Sequence, residues 1–332
     1  MSRTKNDTQL DNSVISSPIT QPVQSLNSTK DYENLILEGG GIKGLAYCGC
    51  ILELEKMGML SNIKKYAGSS AGAITATLLA LGYNSVEICD VIKKTSFESF
   101  LDDKIGFIRD LYTFFTKYGV CRGDTFSMFM KNLIQKKTGN ENYTFQNLYD
   151  DRKKELVITG TNLTNMETIY YSHHKYPNMP IHIAVRISMS IPFLFVPVTF
   201  EDKILVDGGI IDNYPIHVFD GKFPGDPDAK MQLCPQNLKT IGLKLLTPTE
   251  NTTWNVDTAV NNISSIKKMA SSLANTLMLS NEQKYVNPAN WARTIPIKVP
   301  NYPLSKFKLS EEEQTELINS GSNAVKKFFN IV

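Results

Sequence analysis

The chain has 332 residues, 42% of them hydrophobic and 20% charged, with a formal net charge of +2. That is the composition of one large globular domain, or of one domain with an extension, and it excludes a general electrostatic pull toward nucleic acid. The basic pairs Lys64-Lys65, Lys93-Lys94 and Lys136-Lys137 and the run Arg152-Lys153-Lys154 are scattered as on solvated faces, with at most a weak contribution at a membrane surface.

Residues 1–30 are rich in Ser, Thr, Asn and Gln and read as a flexible polar tail without an apolar signal core. Asn34–Glu38 reads as a strand, Ile42–Met57 as a helix, Ile63–Ala67 as a second strand, and Ala71–Leu81 as a helix too uniformly apolar for the surface. This order, β-loop-α-β-α, opens a parallel sheet with helices packed on it. Helices follow over Ser85–Lys94 and Glu98–Lys117, the second with an aromatic stripe of core character, and then a helix to Lys136 capped by Asp124. Next come strands over Glu155–Thr161 and Glu167–Ser172, a helix over Met179–Met189 that Pro192 stops, and a hairpin around Glu201-Asp202-Lys203. Gly221–Asn237 is a loop and Thr240–Leu246 a strand. Beyond Pro248 the pattern predicts a long helical stretch, Val256–Lys284, a strand over Thr294–Val299, and a last helix opened by the capping box Ser310-Glu311-Glu312-Glu313. Cysteines 48, 50, 89, 121 and 234 lack zinc spacing and read as buried or free thiols in a reducing compartment. No uncharged apolar run reaches membrane-spanning length.

Two glycine-rich junctions carry chemistry. In Leu35–Tyr47, Gly39, Gly41 and Gly44 fit G-x-G-x-x-G between a strand and a helix, the dinucleotide-binding pattern. A dinucleotide site also needs an acid at the end of the next strand, but that strand runs into Gly68-Ser69-Ser70-Ala71-Gly72. The Walker pattern fails as well, because Leu45-Ala46 follows Gly44. Consecutive glycines at a helix start also suit another anion, the oxyanion of acyl transfer.

Gly68-Ser69-Ser70-Ala71-Gly72 is G-x-S-x-G between strand and helix, as a nucleophile elbow requires. Its serine needs a base. Ser70…Asp207…His217 has the chain order of α/β-hydrolase triads, although a lone His is more often structural. The other option is direct action by Asp207, where an apolar strand ends in Gly208 and Gly209; partial burial would lift its pKa from the usual value near 4.

Glu38-Gly39-Gly40-Gly41-Ile42-Lys43-Gly44, then Gly68-Ser69-Ser70-Ala71-Gly72, then Asp207-Gly208-Gly209, in that order, resemble the patatin-like phospholipase family. Thr161-Asn162-Leu163 and Ala184-Val185-Arg186-Ile187-Ser188 with Ile191-Pro192 share its phrasing, and the likeness covers roughly residues 32–220. The resemblance implies a three-layer α/β/α hydrolase with a mostly parallel sheet. It implies Ser70 as nucleophile, Asp207 as base, an oxyanion hole in the loop Gly39, Gly40, Gly41, Ile42, Lys43 and Gly44, and no catalytic histidine. Lys43 is then either a cation near the lipid phosphate or a helix-surface lysine. The expected activity is phospholipase A-type hydrolysis without metal, calcium or cofactor, on lipid at a membrane surface, by a cytoplasmic, peripherally associating enzyme. An activating partner, transfer of the acyl group to an alcohol, and lipid binding without turnover stay open. Residues 31–246 form the expected catalytic domain, with 247–332 a mainly helical extension packed on it.

Overall fold

A computed structural model describes residues 32–95, 99–100, 118–231, 233–247, 273, 276–277, 288–302 and 306–331. The expected tail, and all but isolated positions of the expected helices 98–117 and 256–284, lie outside them. The central strands are β1 (Asn34–Leu37), β2 (Lys65–Gly68), β4 (Glu155–Asn162), β9 (Thr240–Leu246) and β10 (Thr294–Lys298), all parallel in the order β10-β9-β1-β2-β4. Beyond β4 the sheet turns antiparallel, through β5 (Glu167–Tyr171) and through β8 (Lys203–Asp207) with β7 (Val198–Phe200). Two short strands, β3 (Gly119–Cys121) and β6 (Phe193–Phe195), pair separately in parallel.

Alternation along the strands builds two cores. Leu35, Leu37, Tyr66, Leu156 and Ile158 face the larger one, with α1 (Ala46–Lys56), α2 (Ala71–Ala80) and α3 (Ser85–Lys94). Ile36, Ala67 and Val157 face the other way, onto Tyr214, Ile216, Val218 and Phe219. Both faces being covered, the central strands are buried almost end to end, as parallel strands require. The result is a three-layer α/β/α fold.

The structure shifts several sequence expectations. β2 begins two residues late, at Lys65, because its ladder starts where β1 runs alongside; buried Ile63 fills the core from the preceding turn. The first helix opens as a 3₁₀ turn, Gly41–Leu45, before α1. Asp124 is the first residue of α4 (Asp124–Thr138), whose cap is Gly123 at φ 75°; a Cβ there would lie 2.4 Å from Arg186 Nε. Helix α5 (Phe145–Arg152) went unread, being short and polar, although Thr144 and Asn147 form its capping box. Helix α6 (Ile181–Ser188) is capped by Pro180. The hairpin turn holds Glu201 and Asp202 at φ 49° and 58°, the two left-handed residues of a two-residue loop. All five cysteines are free, with Cys48, Cys50 and Cys121 buried. Among the described residues no helix is long and apolar enough to cross a membrane.

The C-terminal segment is bound into this fold. β10 extends the sheet, and α7 (Glu311–Phe328), with its Ser310–Glu313 capping box as expected, lies on α1. The two helices approach at glycine: a Cβ on Gly49 would sit 1.9 Å from the Ile318 carbonyl oxygen, and one on Gly321 1.9 Å from that of Ala46. Backbone cannot give way as a side chain can. Gly321→Ala gains about 1 kcal/mol of helix propensity and loses about 3 kcal/mol to overpacking. The expected net loss is about 2 kcal/mol, read as a lower urea midpoint; an unchanged midpoint would show that the helices do not pack so closely.

Candidate active site

The glycine loop is fixed at its entry. Glu38 is buried; its carboxylate pairs with buried Lys244 and accepts the Leu245 amide at 2.7 Å, tying the end of β1 to β9. Gly39 donates its amide to the Asn213 carbonyl at 3.0 Å and accepts the Asn213 side-chain amide at 3.1 Å. A Cβ on Gly39 would stand 2.3 Å from Asn213 Oδ1 and 3.1 Å from the Ser70 Cβ, so only glycine lets the loop come this close to the serine. Gly41, at φ 55°, turns the chain into the 3₁₀ segment, where the Lys43 amide donates to the Gly40 carbonyl at 3.2 Å. Among the described residues, no protein acceptor takes the amides of Gly40 and Gly41.

Ser70 follows β2 and caps α2 with φ 50° and ψ −123°. A non-glycine residue there stores roughly 1–3 kcal/mol of strain, held by the surrounding structure. Gly68 and Gly72 make the turn possible: a Cβ on Gly72 would lie 2.3 Å from the Leu37 carbonyl oxygen, and one on Gly68 2.4 Å from Gly72 backbone. The Ser70 amide donates to Ser188 Oγ at 2.9 Å, and its hydroxyl points at Met189 Sδ, 3.7 Å away. The serine is wholly buried.

Asp207 reaches the serine through the topology of β4. β2 pairs with one edge of β4 up to Ile158, and β8 takes over that edge from Gly160, running the opposite way. The ends of β2 and β8 therefore meet head to head, with Ser70 just past one and Asp207 closing the other. The Asp207 amide donates to the Ser190 carbonyl at 2.9 Å, and Gly209 donates to Oδ1 at 2.7 Å. Gly208 is needed because a Cβ there would lie 2.1 Å from Thr159 Oγ1. Oδ2 is buried and accepts no hydrogen bond. Burial pushes the Asp207 carboxyl up to about 7, against the Gly209 amide and the Ser70 hydroxyl, which pull it down.

The histidines stand elsewhere. His217 is buried with Tyr170 and Asp212: the Tyr170 hydroxyl donates to Asp212 Oδ2 at 2.6 Å and lies 3.2 Å from His217 Nε2. Burial lowers the His217 pKa, against the pull of Asp212. With Oδ1 given to Gly209 and Oδ2 unpartnered, Asp207 makes no hydrogen bond to His217, and the Ser-Asp-His alternative is not formed. His182 pairs with Asn142 at 3.1 Å, and His173 and His174 follow β5. The sequence assigns no role to Ser188, Met189 or Asn213, although Ser188 and Met189 lie in or beside a quoted phrase and Asn213 follows Asp207-Gly208-Gly209 closely; what they touch is 118 to 174 residues away.

The profile described as patatin-like phospholipase matches residues 35–220. Uncharacterized protein R571 of Acanthamoeba polyphaga mimivirus is 32% identical over 303 residues, covering 90% of this chain and 94% of its own length. Probable lipid hydrolase 463L of Invertebrate iridescent virus 6 is 25% identical over 191 residues, 57% of this chain and 63% of its own length. Among solved structures, VipD from Legionella pneumophila superposes with a TM-score of 0.60 at 19% identity, covering 90% of this chain and 67% of that one, a likeness of fold. The chain belongs to the patatin-like phospholipase family, hydrolases that act on lipid esters.

Proposed function

We propose that the chain cleaves fatty-acyl esters of glycerophospholipids, as a phospholipase of A type, through a Ser70–Asp207 dyad and an acyl-enzyme. The observation that carries this reading is the meeting of Ser70 and Asp207 along β4, with a buried carboxylate oxygen that no protein group satisfies. Asp207 Oδ2 takes the hydroxyl proton as Ser70 Oγ attacks the acyl carbonyl carbon. Collapse expels the lysolipid oxygen, which receives that proton. Water then attacks the acyl-enzyme, giving its proton to Asp207, and the fatty acid leaves as the proton returns to Ser70. Of the expected oxyanion loop, Gly39 and Lys43 have committed their amides, so the donors are those of Gly40 and Gly41, beside the start of the 3₁₀ turn. No step calls for calcium. Catalysis takes place at the surface of a membrane to which a cytoplasmic enzyme binds peripherally.

The test is fatty-acid release from mixed phospholipid vesicles in excess chelator, wild type beside His217→Gln. Release is expected to survive both conditions. Loss on chelation that persists in a protein still folded by circular dichroism would place a metal in the mechanism, and loss in a folded His217→Gln protein would make histidine the base.

A further inference from the structure

At the other end of β4, five residues and about 17 Å along the strand from Gly160, a second set of groups converges. We propose that Glu155, His173 and His174 form a binding site for one divalent transition-metal ion, with zinc the ion this donor set fits best. One donor atom from each residue lies within 4.8 Å of the others. The pairing of β5 with β4 brings them together. β5 runs antiparallel to β4 and ends with Tyr171 opposite Ile158; the chain then turns over residues 172–175, the Tyr176 amide donating to the Ser172 carbonyl at 2.8 Å, and this turn holds His173 and His174 beside Glu155.

Three observations favour an ion over a plain histidine–carboxylate pair. The Glu155 Oε2 to His174 Nε2 distance is 3.7 Å. That is too long for a hydrogen bond, yet close to the roughly 3.4 Å between two ligands of a tetrahedral centre with bonds of about 2.0–2.1 Å. Glu155 Oε2 and His173 Nδ1 are both buried atoms without a hydrogen-bond partner. Unsatisfied buried polar atoms are uncommon in folded proteins, and an ion or water is one explanation for them. The His173 ring is held ready, stacked on Tyr149 with centroids 4.2 Å apart at 8°. His174, 41% exposed, leaves a path in from solvent.

Two imidazoles, which are borderline ligands, and one harder carboxylate make a donor set that suits zinc, with water completing the tetrahedron. The ion would staple the start of β4 to the segment after β5. Lys65 opposes it: its ammonium lies 3.1 Å from Glu155 Oε1, on the β2 side. The site therefore binds against a fixed positive charge, and removing that charge should tighten it.

The full chain, stripped by chelator and dialysed, is titrated with Zn²⁺ by calorimetry. Co²⁺ binding is followed by its visible spectrum, whose strong bands mark tetrahedral coordination. The expected result is one ion per chain, a thermal midpoint that rises with zinc, and affinity at least about 10-fold weaker in His174→Ala, Glu155→Gln and His173→Phe. The last keeps the ring stack and loses only the ligand. Lys65→Met is expected to bind zinc several-fold more tightly, and this gain cannot arise from misfolding. No zinc binding by the wild type at micromolar concentration would overturn the proposal. So would binding that is unchanged in His174→Ala and Glu155→Gln, since the ion would then sit elsewhere.

Discussion

Ser70→Ala reduces fatty-acid release from phospholipid vesicles by roughly 10⁴-fold or more and leaves the thermal midpoint in place. The activity falls because no second hydroxyl replaces Oγ at the end of β2, and the loss corresponds to at least about 5.5 kcal/mol of the barrier. Stability holds because alanine keeps the Cβ. The elbow keeps its φ of 50°, and the residue 70 amide still donates to Ser188. What disappears is the hydroxyl, with its long contact to Met189 sulfur, a weak interaction, and its smaller pull on the buried Asp207 carboxyl. Release is checked by fatty-acid quantification at matched protein and lipid, with circular dichroism of both proteins. A residual rate above about 1% of wild type would show that water attacks directly or that another nucleophile serves.

Asp207→Asn has opposite effects on activity and stability. Activity falls by about 10³-fold, in the range lost with a general base. Stability rises at neutral and alkaline pH. Asp207 titrates near 7 in the folded chain and near 3.9 when unfolded. Between those values the folded state holds a proton that the unfolded state has released, so wild-type stability falls as pH rises. Three pH units correspond to about 4 kcal/mol for this wholly buried group. The asparagine variant escapes that loss and still offers Gly209 an acceptor oxygen. Its advantage is expected to be greatest above pH 7 and to vanish below about pH 4, read from urea midpoints across pH. In wild type, kcat/KM should climb about tenfold per pH unit below 7 and level off above. A variant that melts below wild type at pH 8 would contradict a raised Asp207.

The groups at the centre of the candidate site were legible because their signals are local. Gly68, Ser70 and Gly72 form a five-residue pattern between a strand and a helix, and Gly208 and Gly209 follow the end of β8, although what crowds Gly72 and Gly208, the Leu37 carbonyl and Thr159, lies far off in sequence. The sheet was half legible: the parallel strands announce themselves as apolar runs, but nothing in residues 203–207 says that they will lie antiparallel on β4. β3 and β6, three residues each, are too short to show a period. The use of each amide in the glycine loop was out of reach. Gly39 and Gly40 look alike in sequence, yet one amide is committed to Asn213, a partner 174 residues on. His173 and His174 give no signal in the sequence for a similar reason, since Glu155 stands beside them only once β4 and β5 have paired.

Ser70 and Asp207 have no exposed surface. A hydroxyl so placed is not reached by collision from water, and any electrophile that acylates or phosphonylates serine must wait for the protein to open. At low reagent concentration inactivation follows the concentration; at high concentration it levels off at the opening rate itself. The same closure shields the serine from stray activated esters in solution. Whatever favours an open form thus sets how reactive this serine is as well as which ester it meets.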